Sequence, residues 1–271
     1  MTGAAIVREN RFVATENGTI FVRITGCGDP LLMIHGTASD ADYFKDSVPL
    51  LSDSCKVISY DRNGCSRSIP FPEADFGIRG EMKDAAALLD LAGDRKLSVF
   101  ALSAGALAAL ELALFYPERI KRLILYEPSF CISEESVNRL KRTEKEIGSL
   151  VSDGRTAAAL LRFVDLIGGL DPESPPVSEK QQLANFDNFR FFLDHQLGHL
   201  PCGEEISARL EKLAVPCCIL CGTKDGEGLF YQASHEAAQL LGIRPAYVEG
   251  FHNYPKDHPQ EFSDVIRSML T

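Results

Sequence analysis

The sequence predicts an α/β fold, a mostly parallel eight-stranded sheet flanked by helices with an inserted helical lid. Three observations carry this. Short apolar runs such as Leu31-Leu32-Met33-Ile34 and Leu97 to Leu102 have the character of strands covered on both faces. They alternate with segments of helical spacing, the rhythm that lays a parallel sheet through right-handed crossovers. After Pro128 that rhythm stops, and about 85 residues pass without a convincing strand, too long a gap for one loop.

Taken in order, Arg11–Thr15 and Ile20–Thr25 form strands around Glu16-Asn17-Gly18, since Asn-Gly between strand-like runs signals a hairpin. The loop Gly26 to Pro30 leads into the strand Leu31–Ile34, which ends in His35-Gly36-Thr37. Ala41–Leu51 reads as a helix and Lys56–Tyr60 as a strand, followed by the long loop Asp61 to Ser68. Ile78, Met82, Ala85, Leu89 and Ala92 recur at helical spacing. The strand Leu97–Leu102 and the helix Ala104–Phe115 come next, then the strand Ile120–Tyr126, closed by Glu127-Pro128. Helical patterns occupy 134–149, 156–167, 178–184 and 185–197. Val215 to Cys221 resumes the sheet, Leu229–Leu241 is a helix and Ala246–Val248 a strand. The last helix starts at Pro259 and carries Phe262, Val265, Ile266, Met269 and Leu270 on one face. The division expected is a core over 1–128, a lid over 129–212 and the rest of the core over 213–271.

Composition narrows the partners. Apolar content of 45% and charged content of 24% are those of an ordinary globular protein. A net charge of −10 argues against nucleic acid or an anionic membrane as partner. No run approaches a membrane span, and the stretch Met1 to Arg8 lacks the apolar core of a signal peptide. Eight cysteines without an export signal imply free thiols and a cytoplasmic location. Cys217, Cys218 and Cys221 cluster in sequence, but strand alternation sends Cys217 and Cys218 to opposite faces, and no histidine lies near; they read as core thiols. His195 and His199, one helical turn apart, lack further ligands of a metal site. Neither metal nor cofactor is expected.

The chemistry concentrates at Ala101-Leu102-Ser103-Ala104-Gly105. A strand that reverses directly into a helix makes a cramped turn, with room only for small residues two positions either side of the turning one. That turn holds the Ser103 side chain out at the carboxyl end of its strand, above a helix N-terminus. Ala101 stands where such elbows commonly carry glycine.

With His35-Gly36-Thr37 after a strand, Asp61 to Ser68 after the next, the elbow at Ser103, and Gly250-Phe251-His252 ahead of Pro259-Gln-Glu-Phe262, the chain resembles the α/β-hydrolase superfamily. The likeness covers nearly all of it except the lid. It implies that Ser103 is a nucleophile, that His252 after the last strand is its base, and that the backbone amides of Thr37 and Ala104 hold the oxyanion. Two carboxylates compete for the acid that orients His252. Asp225, in Gly222-Thr223-Lys224-Asp225, occupies the commonest family position and is favoured; Asp225-Gly226 is also ordinary turn chemistry. Glu127 ends the strand before the lid, from which haloalkane dehalogenases and fungal zearalenone lactonases take their acid.

The activity expected is that of a serine hydrolase cleaving a carboxylic ester or lactone of a small, largely apolar substrate. Phe186, Phe189, Phe191, Phe192 and Leu193 in the lid suggest an aromatic face over the pocket. The alternatives are carbon–carbon bond hydrolysis, lyase or cofactor-free peroxidase chemistry on the same fold, or a small-molecule-binding protein that keeps the scaffold without turnover. Ser103 disfavours dehalogenase and epoxide hydrolase activity, which use an aspartate at the elbow.

Overall fold

A computed structural model describes residues 8–224, 226 and 228–270. The elements run β1 (Arg8–Ala14), β2 (Gly18–Thr25), β3 (Asp29–Ile34), a 3-10 turn at Ala41–Phe44, α1 (Ser47–Leu51), β4 (Cys55–Tyr60), β5 (Ile69–Pro70), α2 (Ile78–Ala86), a second 3-10 turn at Leu89–Ala92, β6 (Leu97–Leu102), α3 (Gly105–Phe115) and β7 (Ile120–Tyr126). Four helices come after β7: α4 (Glu134–Ser152), α5 (Thr156–Leu166), α6 (Glu179–His195) and α7 (Glu204–Leu210). The chain closes with β8 (Cys217–Gly222), α8 (Leu229–Leu240), β9 (Ala246–Val248), α9 (Tyr254–Asp257) and α10 (Pro259–Leu270).

The strands lie in the order β1-β2-β4-β3-β6-β7-β8-β9. Every neighbour pair from β4 to β9 is parallel, and β1 and β2 add an antiparallel edge. The two-residue β5 pairs with β2 off this path, a ninth strand beyond the eight read from the sequence. Alternation along the apolar strands feeds two cores. Leu32, Ile34, Val99, Ala101, Leu123 and Leu125 pack on one face of the sheet, against α2 and α3. Leu31, Met33, Phe100, Leu102, Ile124 and Tyr126 pack on the other, with Phe262 and Ile266 of α10. Both faces of the central strands exclude water, so those stretches have no polar side. Residues Gly105 to Ala113 of α3 are all buried, which is why its sequence is almost wholly Ala and Leu.

Several boundaries differ from the sequence reading. The segment expected as one helix over 41–51 is a 3-10 turn capped by Asp40 and the five-residue α1. Pro49 has no N–H to continue an earlier helix. The patterns at 178–184 and 185–197 are one helix, α6, because nothing between Ala184 and Asn185 breaks it. Helix α7 escaped the reading. Helices α4 to α6 pack on a third apolar cluster, in which Leu140, Phe163, Phe189 and Phe192 meet Leu229 and Phe230 of α8. Among the described residues no helix is long and apolar enough to cross a membrane.

Candidate active site

In chain order β3 is succeeded by β4 on one side of it and by β6 on the other. A sheet that reverses its winding opens a crevice at the carboxyl ends of the two strands flanking the switch. Here those ends are His35-Gly36-Thr37 after β3 and Ser103 after β6, brought level by the register Ile34↔Ala101. A Cβ on Gly36 would stand 3.1 Å from Ser103 Cβ, so the two turns touch backbone to side chain.

Ser103 takes φ +54, a left-handed conformation that costs a non-glycine residue about 1–3 kcal/mol and persists only where its surroundings impose it. They do: its amide donates to Tyr126 O at 3.0 Å, and its carbonyl accepts from Ala106 N at 3.0 Å and Ser129 N at 3.3 Å. A Cβ at Gly105 would meet His35 O at 2.5 Å, which accounts for the glycine two residues after Ser103. Among the described residues, neither the Ala104 nor the Thr37 amide donates to a protein acceptor. The two donors expected to face an oxyanion are therefore uncommitted.

His35 is fully buried and serves the loop. Its Nδ1 lies 2.8 Å from Gly36 O and its Nε2 accepts the Arg62 amide at 2.9 Å, which fixes the neutral tautomer. Burial, reinforced by the Arg62 charge, lowers its pKa to about 4.

His252 sits after β9, and its Nδ1 lies 2.6 Å from Glu127 Oε2. Glu127 is fully buried, and its second oxygen accepts the Gly222 amide at the end of β8 at 2.9 Å. It too has positive φ, +41, the backbone cost of turning a carboxylate inward at the end of β7. Tyr126 completes the support by donating from its hydroxyl to Phe251 O at 2.7 Å. The ring of Phe230 stands 6.0 Å from the imidazole. Asp225, the carboxylate favoured from sequence, lies outside the described residues. Among the described residues Glu127, ranked second there, meets the imidazole.

A cavity of about 660 Å³ opens beside these turns. Thr37, Ala38 and Ser39 line it from beyond β3, Asn253 and Lys256 from beyond His252, Phe163 and Ile167 from α5 and its end, and Leu183 and Phe186 from α6. Of the five apolar lid residues singled out in sequence, only Phe186 faces the cavity. Phe189 and Phe192 pack in the third apolar cluster, and Phe191 covers Gly64, where a Cβ would lie 2.1 Å from its ring. His195 packs between the rings of Phe76 and Phe191, at 4.6 and 4.5 Å. Among the described residues no three His, Cys, Asp or Glu side chains are placed to hold a metal. Sequence reasoning missed Asn188 of α6 and the buried Arg62–Glu81–Gln196 cluster, since single polar residues on a helix carry no local signature.

The match to known proteins agrees with this architecture. The family model for the alpha/beta hydrolase fold matches residues 29–171. The chain belongs to that family and is a hydrolase of the α/β fold. It is 33% identical over 261 residues to a putative carbamate hydrolase, RutD, of Azorhizobium caulinodans, covering 91% of this chain and 93% of the relative. It is 24% identical over 265 residues to an uncharacterized hydrolase, YraK, of Bacillus subtilis, covering 96% of each. Among solved structures, naproxen esterase from Bacillus subtilis shares the fold with a TM-score of 0.71 at 16% identity, over 98% of this chain and 93% of that one.

Proposed function

We propose that the protein is a serine hydrolase that cleaves a carboxylic ester or lactone of a small, largely apolar substrate through an acyl-enzyme on Ser103. The observation that carries this is the 2.6 Å contact between His252 Nδ1 and the buried Glu127 carboxylate, directly beyond the strand end whose carbonyl holds the Ser103 amide. A carboxylate on Nδ1 keeps the ring proton there and leaves the basic lone pair on Nε2. His252 Nε2 then takes the hydroxyl proton as Ser103 Oγ attacks the acyl carbon. The Thr37 and Ala104 amides stabilise the oxyanion, and His252 returns the proton to the leaving oxygen. Water, deprotonated by the same nitrogen, releases the acid and restores Ser103. In this reading Glu127 is the orienting acid, and Asp225, if near the imidazole, stabilises its protonated form.

The cavity's apolar wall of Phe163, Ile167, Leu183 and Phe186 suits an acyl chain or ring. The likeness to a carbamate hydrolase makes an alkyl carbamate the second substrate class to try. The test is a p-nitrophenyl ester series of rising acyl length, beside lactones, a carbamate and a β-diketone. Ester or lactone turnover lost in Ser103→Ala supports the reading. Turnover surviving that substitution, or confined to the β-diketone, overturns it.

A further inference from the structure

One buried side chain of α6 joins two strained turns, one of which lines the cavity. Asn188 is 3% exposed. Its Nδ2 donates to Ser39 O at 2.9 Å and to Ser66 Oγ at 3.0 Å, and its Oδ1 accepts the Ser66 amide at 2.8 Å. Ser39 lies two residues beyond Thr37, with Ala38 between them at φ +56; Ser66 itself has φ +45. Left-handed backbone at alanine and serine persists only where neighbours over-determine it. The start of the Thr37 turn is held by His35, through Gly36 O and the Arg62 amide. Beyond it, the Asp40 carboxylate accepts from Asp42 N at 2.8 Å, Ser66 Oγ at 2.7 Å and Gln181 Nε2 at 3.2 Å. Between those anchors, the Ser39 carbonyl is held by Asn188.

We propose that Asn188 is a positioning residue for oxyanion stabilisation. Through the Ser39 carbonyl it fixes the Thr37–Ser39 turn in the conformation that aims the Thr37 N–H at the acyl oxygen. This rests on the serine-hydrolase reading above. The same helix lines the cavity with Gln182, Asn185 and Phe186, so a substrate filling the cavity bears on the helix that sets the donor. Binding energy from parts of the substrate remote from the reacting bond is then realised in kcat. The rival role is simple fastening of α6 to the core. The helix has other fastenings for that: Phe191 over Gly64, and Gln196 just past its end, donating to Glu81 at 2.7 Å.

The experiment compares Asn188→Ser and Asn188→Asp with the wild type. Aspartate keeps an acceptor for the Ser66 amide and removes the donor to Ser39 O. Two inhibitors are titrated: an alkyl trifluoromethyl ketone, to which Ser103 adds to give a hemiketal oxyanion with its proton on His252, and the matching secondary alcohol, which has no oxyanion. The expected result is a fall of about 10- to 100-fold in kcat and in ketone affinity, less than outright loss of a donor brings, with KM and alcohol affinity changed less than about threefold. Unchanged kcat and ketone affinity in a folded variant overturn the proposal. So does a parallel loss of affinity for ketone and alcohol, or failure of both variants to fold, since either shows a general fastening role. A wild type that binds ketone no better than alcohol overturns the serine-hydrolase reading itself.

Discussion

Replacing Glu127 by glutamine leaves the volume of the side chain and removes one acceptor. In the native site one oxygen accepts the Gly222 amide at 2.9 Å and the other faces His252 Nδ1 at 2.6 Å. A carboxamide has a single oxygen. With that oxygen kept on Gly222, its NH₂ points at Nδ1, and the imidazole must move its proton to Nε2, the nitrogen required to take the Ser103 proton. With the amide turned over, the Gly222 N–H meets NH₂ in a buried site, at about 1–3 kcal/mol for the unpaired donor. The first arrangement is the cheaper, and it is inactive. Holding the wrong tautomer lowers serine-hydrolase turnover by roughly 10⁴, so kcat for Glu127→Gln is expected to fall about 10³- to 10⁴-fold, equivalent to about 4–5.5 kcal/mol in the barrier. The assay is steady-state hydrolysis of the best p-nitrophenyl ester, with thermal melting to establish that the variant is folded. Asp225→Asn, run in parallel, is expected to lose less. A folded Glu127→Gln enzyme within tenfold of the wild type, or an Asp225→Asn loss exceeding it, would refute the assignment of Glu127 as the orienting acid.

Two further predictions concern stability and pH. His35 is held at a pKa of about 4, first by burial and then by the Arg62 charge, against about 6.5 when unfolded. The unfolded chain therefore binds the proton first. Stability from this group is complete above pH 6.5, declines as pH falls, and is lost by about pH 4, a total of about 3 kcal/mol. Denaturant titrations of the wild type and His35→Gln across that window are expected to show a shallower acid decline in the variant; parallel curves would exclude His35 as the cause. Asp84 moves the other way, pushed up to about 6, chiefly by burial. Its Oδ1 accepts from Thr15 Oγ1 at 2.5 Å while Oδ2 has no partner among the described residues. The folded state prefers the protonated acid, so the stability it contributes is full below about pH 4 and lost as pH rises through 6. Asp84→Asn is expected to gain about 1–2 kcal/mol at pH 7 and nothing near pH 4. A gain equal at both pH values would count against the titration.

The architecture was legible because burial on both faces leaves Leu31–Ile34, Val99–Leu102 and Leu123–Tyr126 as apolar stretches, and because the steric demands of the elbow write small residues around Ser103. Glu127 was visible only as a carboxylate at a strand end. Its inward turn depends on φ +41 and on the Gly222 amide of a strand some 95 positions later, and nothing local encodes either. The aromatics of α6 were harder still. Helical spacing groups Phe186, Phe189, Phe192 and Leu193 toward one side, yet which of them faces the cavity is decided by how α6 lies on Gly64 and Ser66. Asn188 acts through three hydrogen bonds to residues more than 120 positions away, so its role exists only in three dimensions.

The most direct measurement is covalent capture by a fluorophosphonate probe, with the adduct located by peptide mass spectrometry. The account predicts a single adduct on Ser103, abolished in Ser103→Ala and slowed by orders of magnitude in His252→Ala. No labelling of folded wild-type protein, or labelling that persists in Ser103→Ala, would contradict it.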